Sequence, residues 1–195
     1  MNDNSKPPVV NIANALTVLR LLLVPVFILV FLTNDTPHRW MAWGVFFVAA
    51  ATDKLDGHLA RSRNLITDFG KLADSIADKA LIISALVMLS WHGLLWWWVT
   101  IVFIVRELGI TLMRMVMVKK EVMAAGMGGK IKMVAQSFGI GGILIPWHSF
   151  LPELLANIML WASYGLIAIA LFFAMTSAWE YIQHARKISD DGPAA

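Results

Sequence analysis

Six apolar stretches run along this chain of 195 residues and leave it few ways to fold. A transmembrane helix needs about 20 mainly apolar residues, and several of these runs approach that length. Hydrophobic residues make up 58% of the sequence, and its mean hydropathy is +0.68. The sequence therefore predicts an all-α integral membrane protein with six transmembrane helices, at roughly residues 16–33, 40–52, 77–90, 94–118, 133–150 and 154–179.

The second and third stretches are short for a bilayer crossing. They become long enough only if their helices continue into the neighbouring segments that carry acidic residues. Those acidic residues are then expected near one face of the membrane.

The polar residues and prolines near these stretches suggest further boundaries. Asn11 offers a helix start, and Pro25 and Pro146 are expected to kink the first and fifth spans. We expect residues 1–15 to form a cytoplasmic interfacial segment, residues 16–188 one membrane domain, and residues 189–195 a disordered tail.

Basic residues occur on alternate connections between the apolar stretches. The opposite connections carry only Arg39 among Lys and Arg. Because cytoplasmic loops are enriched in Lys and Arg, both termini and the acidic segments are predicted to face the cytoplasm. The expected location is the cytoplasmic (inner or plasma) membrane, crossed several times. The basic residues that define this pattern are Lys6, Arg20, Lys54, Arg61, Arg63, Lys71, Lys119, Lys120, Lys130, Lys132, Arg186 and Lys187.

Composition excludes some classes of site. The chain has no cysteine, which rules out disulfides, thiol nucleophiles and thiolate metal sites. The isoelectric point is about 9.3, but the basic residues flank apolar runs. An anionic membrane surface or a phosphorylated substrate is therefore a better partner than nucleic acid.

Four aspartates, Asp53, Asp56, Asp74 and Asp78, bracket a short basic loop. Each pair is spaced three or four residues apart, which places its members on one face of a helix. Carboxylates gathered near a bilayer repel one another and need counter-cations, so incidental clustering is a poor explanation. Carboxylate oxygens suit Mg²⁺ or Mn²⁺, whereas zinc is disfavoured because no His or Cys belongs to this motif.

The surrounding pattern, D-x2-D-G-x2-A-R-x8-G-x3-D-x3-D, resembles the signature of the CDP-alcohol phosphatidyltransferases, with every fixed position present. The resemblance implies that all four aspartates, Asp53, Asp56, Asp74 and Asp78, bind or adjoin two Mg²⁺ or Mn²⁺ ions. It also implies that Asp78 acts as the general base. The ions would hold the diphosphate of a CDP-linked lipid.

The same resemblance implies a nucleotide and CDP-lipid site formed by Asn14, Thr17, Gly57, Ala60, Arg61 and Gly70. Each has a structural alternative. Small residues permit close helix packing in membranes, an arginine can extend to lipid headgroups, and Asn or Thr can cap a helix.

A second group of charges lies further along the chain. Arg106-Glu107 and Arg114 occur within the fourth apolar stretch, and Lys130 and Lys132 precede the fifth. Their segments resemble the phosphatidylglycerophosphate synthase branch of the family, which implies that Arg106, Arg114, Lys130 and Lys132 bind the phosphate of sn-glycerol 3-phosphate. The alternatives are an internal Arg106–Glu107 ion pair and a solvated basic loop.

The chain departs from that branch at three positions. Ser75 stands where Pro is usual, Met127 where Arg is common, and Met133 where Thr is common. The two methionines are expected to remove polar groups near the acceptor pocket.

The predicted activity is transfer of a phosphatidyl group from CDP-diacylglycerol to glycerol 3-phosphate, in a homodimer by family analogy. The nearest alternative keeps this chemistry with inositol phosphate, inositol, serine or phosphatidylglycerol as acceptor. A UbiA-type prenyltransferase would show longer Asn/Asp-rich motifs in two repeated halves. A divalent-cation transporter would explain the aspartates but neither the small residues nor Arg61.

Overall fold

The computed structural model describes residues 11–62, 67–117 and 127–190, with several side chains near those boundaries left undescribed. Within these ranges all regular secondary structure is helical, as predicted. Six α-helices and one short 3-10 turn follow in order: α1 Ile12–Val30, α2 Thr36–Ser62, α3 Asp68–Trp91, α4 Trp97–Met117, α5 Met127–Leu144, the turn Trp147–Ser149, and α6 Glu153–Asp190.

Short polar side chains stand at the starts of the first three helices. Asn11 caps α1, where its side-chain oxygen accepts the backbone N–H of Asn14 at 2.9 Å. Asp35 precedes α2 and accepts the backbone N–H of His38 at 2.9 Å. This bond, helped by the His38 ring, lowers the pKa of the Asp35 carboxyl. Thr67 caps α3.

Pro146 ends the fifth helix instead of kinking it, so that expectation is wrong. Helix α5 stops at Leu144, and the 3-10 turn begins at Trp147. The ring of a proline disfavours helical geometry in the residue before it, which explains a stop at this point. Pro25, in contrast, lies inside α1.

Helices α5 and α6 pack closely because glycine lies at their contact. A Cβ built on Gly142 would approach Ser163 Oγ to 2.2 Å, and one built on Gly139 would approach Ile167 Cδ1 to 2.8 Å. Such small-residue contacts are typical of helix pairs in membranes. Helix α1 packs against α2 and α3, and the shared core contains Phe27, Phe46, Leu86, Phe103 and Ile140, among other residues.

The outer faces of the bundle are apolar. Leu29, Phe138, Trp161 and Phe172 are each more than 60% exposed. Continuous exposed apolar surface of this kind is rare on soluble monomers and is what a bilayer would cover. One helix segment, Glu153–Gln183, is long and apolar enough by itself to cross a membrane, and Asn14–Val30 is a shorter apolar helix.

The six-span count remains a prediction. Helix α4 carries Arg106 and Glu107, and α2 and α3 carry the aspartates, so their length comes partly from polar segments.

Candidate active site

A buried arginine joins two of the predicted carboxylates. Arg20, on α1, is fully buried, and its Nη1 lies 2.6 Å from Asp53 Oδ1 and 3.0 Å from Asp74 Oδ1. Asp53 belongs to α2 and Asp74 to α3, so this one side chain brings three helices together. In the sequence alone, Arg20 stands out only as one of the basic residues that set orientation.

A signal for this role was present in the sequence. Asn14, Thr17 and Arg20 recur every three residues along an otherwise apolar helix, which places them on one face. All three are buried, at 6%, 3% and 0% exposure. A buried polar stripe on an apolar helix indicates internal partners for those side chains.

Asp78 lies one helical turn beyond Asp74 and completes the described part of the cluster. It interacts electrostatically with Asp53 and Asp74 as like charges and with Arg20 and Lys132 as opposite charges. The structure therefore places three of the four predicted aspartates within electrostatic range of one another, with Arg20 and Lys132 also in range of Asp78.

The metal assignment remains a prediction. Among the described side chains, no three potential ligands lie close enough together to hold an ion. The fourth aspartate, Asp56, is on α2, but its side chain lies outside the described residues, as do those of Ala60 and Arg61; Gly57 belongs to the same stretch. The donor chemistry fits Mg²⁺ or Mn²⁺, because both ions prefer carboxylate oxygens.

Gly70 makes room for a contact between α1 and α3. Asn14 Nδ2 donates to Thr67 Oγ1 at 2.9 Å, and the same hydroxyl accepts the backbone N–H of Gly70 at 2.9 Å. A Cβ on Gly70 would lie 2.3 Å from Asn14 Oδ1. The structure thus gives Gly70 and Asn14 a packing role, and it adds Thr67, which the motif did not include.

Gly70→Ala is expected to displace the Asn14 side chain and break its bond to Thr67. Losing this buried bond should cost about 1–3 kcal/mol and lower the thermal unfolding temperature. Gly44→Ala is a matched control, because a Cβ there meets nothing within 4 Å. Equal unfolding temperatures for the two variants would contradict the packing role of Gly70.

A second charge network joins α4, α5 and α6. Arg106 Nη1 lies 3.0 Å from Glu107 Oε1, and its Nη2 donates to Ser177 Oγ at 2.6 Å. Lys132 also contacts Glu107 Oε1, and its side chain is almost wholly buried. The internal Arg106–Glu107 pair, one of the two readings of the sequence, is therefore present. Glu107 also holds Lys132, a contact between residues 25 positions apart that the sequence pattern does not indicate.

The structure describes only some of the other residues that were predicted near the acceptor. Lys130 is exposed near the start of α5. The side chains of Arg114 and Met127 lie outside the described residues. Met133, expected near the acceptor, lines a cavity that also contains Asp53 and Asp78.

That cavity has a volume of about 580 Å³ and lies between helices α2, α3 and α5. Arg20, Asp53 and Asp78 provide its charged groups, and nearly all the rest of its wall is apolar. The volume lies within the range of about 300–1,000 Å³ that is typical of ligand pockets. A ligand with a charged or polar end and an apolar body matches this division. The other lining residues are Trp43, Phe46, Phe47, Ala50, Ala51, Leu81, Ile82, Met133, Val134, Ser137, Phe138, Gly141, Gly142, Ile145, Trp147 and Leu166.

Comparison with known proteins agrees with the motif. The family model for CDP-alcohol phosphatidyltransferase matches residues 10–176. A probable phosphatidylglycerophosphate synthase of Mycobacterium tuberculosis (strain H37Rv) is 38% identical over 187 residues, covering 94% of this chain and 85% of the relative.

Two further relatives are both named CDP-diacylglycerol–glycerol-3-phosphate 3-phosphatidyltransferase. The Bacillus subtilis protein is 36% identical over 188 residues, covering 88% of this chain and 93% of its own length. The Escherichia coli K12 protein is 34% identical over 180 residues, with coverages of 89% and 92%. With its motif, helical bundle and carboxylate cluster in agreement with a family match over most of its length, this chain belongs to the CDP-alcohol phosphatidyltransferase family.

Proposed function

We propose that this protein transfers the phosphatidyl group of CDP-diacylglycerol to sn-glycerol 3-phosphate, giving phosphatidylglycerophosphate and CMP. The names of its relatives support this acceptor. The observation that carries the proposal is the cavity in which Asp53 and Asp78 lie at the edge of an apolar chamber. A lipid can leave its acyl chains there while its phosphates reach the charged end, where the carboxylates would hold metal ions.

The transfer makes one P–O bond and breaks another. A hydroxyl oxygen of glycerol 3-phosphate attacks the phosphorus that carries diacylglycerol, the bond from that phosphorus to the CMP oxygen breaks, and CMP leaves. Asp78 takes the proton of the attacking hydroxyl. Its place beside the cavity and its interaction with Lys132 support this role.

Asp53, Asp56, Asp74 and Asp78 would hold two Mg²⁺ or Mn²⁺ ions. When bound, the ions would supply positive charge against the diphosphate and the departing CMP. Arg20 positions two of these carboxylates, since it contacts Asp53 and Asp74 from a fully buried site. It also offsets their mutual repulsion.

The acceptor phosphate is proposed to bind near Lys132, with Arg106, Arg114 and Lys130 as further cations. Lys132 connects the two sides of the site, because it contacts Glu107 and interacts with Asp78. Glu107 fixes the position of Lys132 and Arg106 through one oxygen. Arg106 in turn donates to Ser177 and to the Ala174 carbonyl, so its primary role is to support the network.

Lys132→Met is expected to raise the KM for glycerol 3-phosphate about tenfold or more, because a hydrogen bond to a charged group is lost. Glu107→Gln should also raise that KM, since it releases Lys132. The KM for CDP-diacylglycerol should change little in both variants. Lys79→Met provides the control, because Lys79 bonds to Ser75 on its own helix. Lower stability with an unchanged acceptor KM would make the network purely structural.

The acceptor is tested by CMP release from detergent-purified protein supplied with CDP-diacylglycerol and Mg²⁺. Glycerol 3-phosphate, myo-inositol 1-phosphate and serine are added separately. Release with glycerol 3-phosphate alone supports the proposal. CMP release only with another acceptor would agree with phosphatidyl transfer. It would contradict the assignment of the cationic pocket to glycerol 3-phosphate.

The apolar exterior supports a multi-pass enzyme in the cytoplasmic membrane with the carboxylates on the cytoplasmic side. We propose that it works as a homodimer, by analogy with the family.

A further inference from the structure

The apolar cavity has a second end, away from the carboxylates, where Trp43 and Trp147 form part of its wall. We infer that these two tryptophans, called here the tryptophan floor, limit the length of the acyl chain that the lipid substrate places in the cavity. The inference rests on the proposed function and adds to it a preference for chain length.

The depth of the cavity matches an acyl chain. Asp53 and Trp43 lie on the same helix, α2, and both line the cavity. They are separated by about ten residues, or roughly 15 Å at 1.5 Å per residue. This distance is about half of the ~30 Å hydrocarbon core, which two layers of acyl chains fill. One chain of ordinary length would therefore extend from the charged groups to the floor.

The apolar lining of the cavity also favours an acyl chain as its ligand. Between the charged groups and the floor, the lining residues are almost all apolar, with Ser137 as the main polar exception. A headgroup or a soluble acceptor would lose hydration there without gaining hydrogen bonds. An acyl chain is the part of the substrate that such a wall favours, and it is covalently joined to the phosphates that the charged end would hold.

The floor is held in place by one hydrogen bond and by ring contacts. Trp147 Nε1 donates to the Gly142 carbonyl at 2.7 Å. The Trp43 ring stacks on Phe47 with centroids 5.4 Å apart and meets Trp40 edge-on at 5.8 Å. A side chain fixed in this way resists displacement by a longer ligand.

Arg39 fixes the backbone next to the floor. Its guanidinium donates to the carbonyls of Ile143, Leu144 and Ile145, at 2.7, 3.2 and 3.2 Å. These carbonyls belong to the last two residues of α5 and to the residue that follows it. A helix has unsatisfied acceptors at this end, which a cation can bind. Arg39 thereby ties the beginning of α2 to the end of α5, the two helices that carry or adjoin Trp43 and Trp147.

The test is a comparison of turnover across CDP-diacylglycerols that differ only in saturated chain length, in mixed micelles with fixed glycerol 3-phosphate. For the unaltered protein we expect kcat/KM to fall about tenfold once the acyl chain is too long to end at the tryptophan floor, as for a pocket that excludes extra methylenes. In Trp147→Ala this decrease in kcat/KM should occur only at longer chain lengths. Trp91→Ala is the matched control, because Trp91 is 70% exposed and is absent from the cavity wall.

Gly141→Ala tests the opposite change. Gly141 lines the cavity near the floor, and a Cβ there would meet Phe46 and Trp43 only at 4.0 Å, so the helix should tolerate it. The added methyl shortens the cavity and should lower the ratio of long-chain to short-chain rates. If Trp147→Ala fails to fold, this variant decides the question.

The same chain-length profile in the unaltered protein and in the folded floor variants would overturn the inference while leaving the activity intact. Absence of turnover with every chain length would instead count against the proposed function.

Discussion

Asp78→Asn is expected to lower kcat about a thousandfold while the affinity for CDP-diacylglycerol changes only a few fold. The amide keeps the shape of the side chain but cannot take the proton of the acceptor hydroxyl. Asp78 borders the cavity and interacts with Asp53, Asp74 and Lys132, so it lies where the lipid phosphates and the acceptor are proposed to meet.

The measurement combines CMP release for kcat with equilibrium binding of CDP-diacylglycerol. Asp35→Asn serves as the control, because Asp35 is an exposed residue just before α2 whose side chain contacts His38. Its kcat should stay unchanged. Wild-type turnover in Asp78→Asn would refute the base assignment, and loss of lipid binding with loss of turnover would make Asp78 a binding residue.

Arg20→Met should produce the second large effect. The fully buried guanidinium bridges Asp53 and Asp74, whose side chains are 31% and 50% exposed. Removing it leaves the two carboxylates without this shared cation and should cost about 1.5–3 kcal/mol of stability, the usual value for hydrogen bonds to charged groups. We also expect a fall in kcat of about a hundredfold, because small displacements of catalytic groups are costly.

Arg20→Lys separates charge from geometry. Lysine keeps the positive charge but not the planar guanidinium, so it should restore part of the stability and less of the turnover. Thermal unfolding and kcat are measured on the same preparations. If Arg20→Met retains full turnover despite lower stability, Arg20 only supports the fold and does not position the carboxylates.

The sequence predicted the helical architecture because apolar periodicity and charge placement are local properties of a chain. The aspartate spacing likewise predicted that Asp74 and Asp78 share one helix and that Asp53 lies nearby on another. These features need no knowledge of how the helices pack.

The side-chain partners required the structure. Arg20 meets Asp53 and Asp74, and Asn14 meets Thr67, across 33, 54 and 53 residues of sequence. Helix packing brings these pairs together, and a single sequence does not give that packing. The recurrence of polar residues at every third position of α1 shows only that the helix face bearing Asn14 and Arg20 is internal.

Two other positions show how a shift of one residue along a helix changes an assignment. Lys132 and Met133 are adjacent in sequence, and both were expected near the acceptor. In the structure Lys132 faces Glu107, whereas Met133 lines the apolar cavity. Successive helical residues are rotated by about 100°, so neighbours can serve different ligands. Met133 therefore counts less against the glycerol 3-phosphate assignment than the sequence suggested.

The central claim is tested most directly by following the phosphorus of the acceptor. The purified protein is given CDP-diacylglycerol, Mg²⁺ and glycerol 3-phosphate labelled at phosphorus, and the label in the organic phase is compared with the CMP released. Our account predicts one labelled lipid phosphate for each CMP, and about a thousandfold less of both with Asp78→Asn. CMP release without label in the lipid would contradict the proposed transfer.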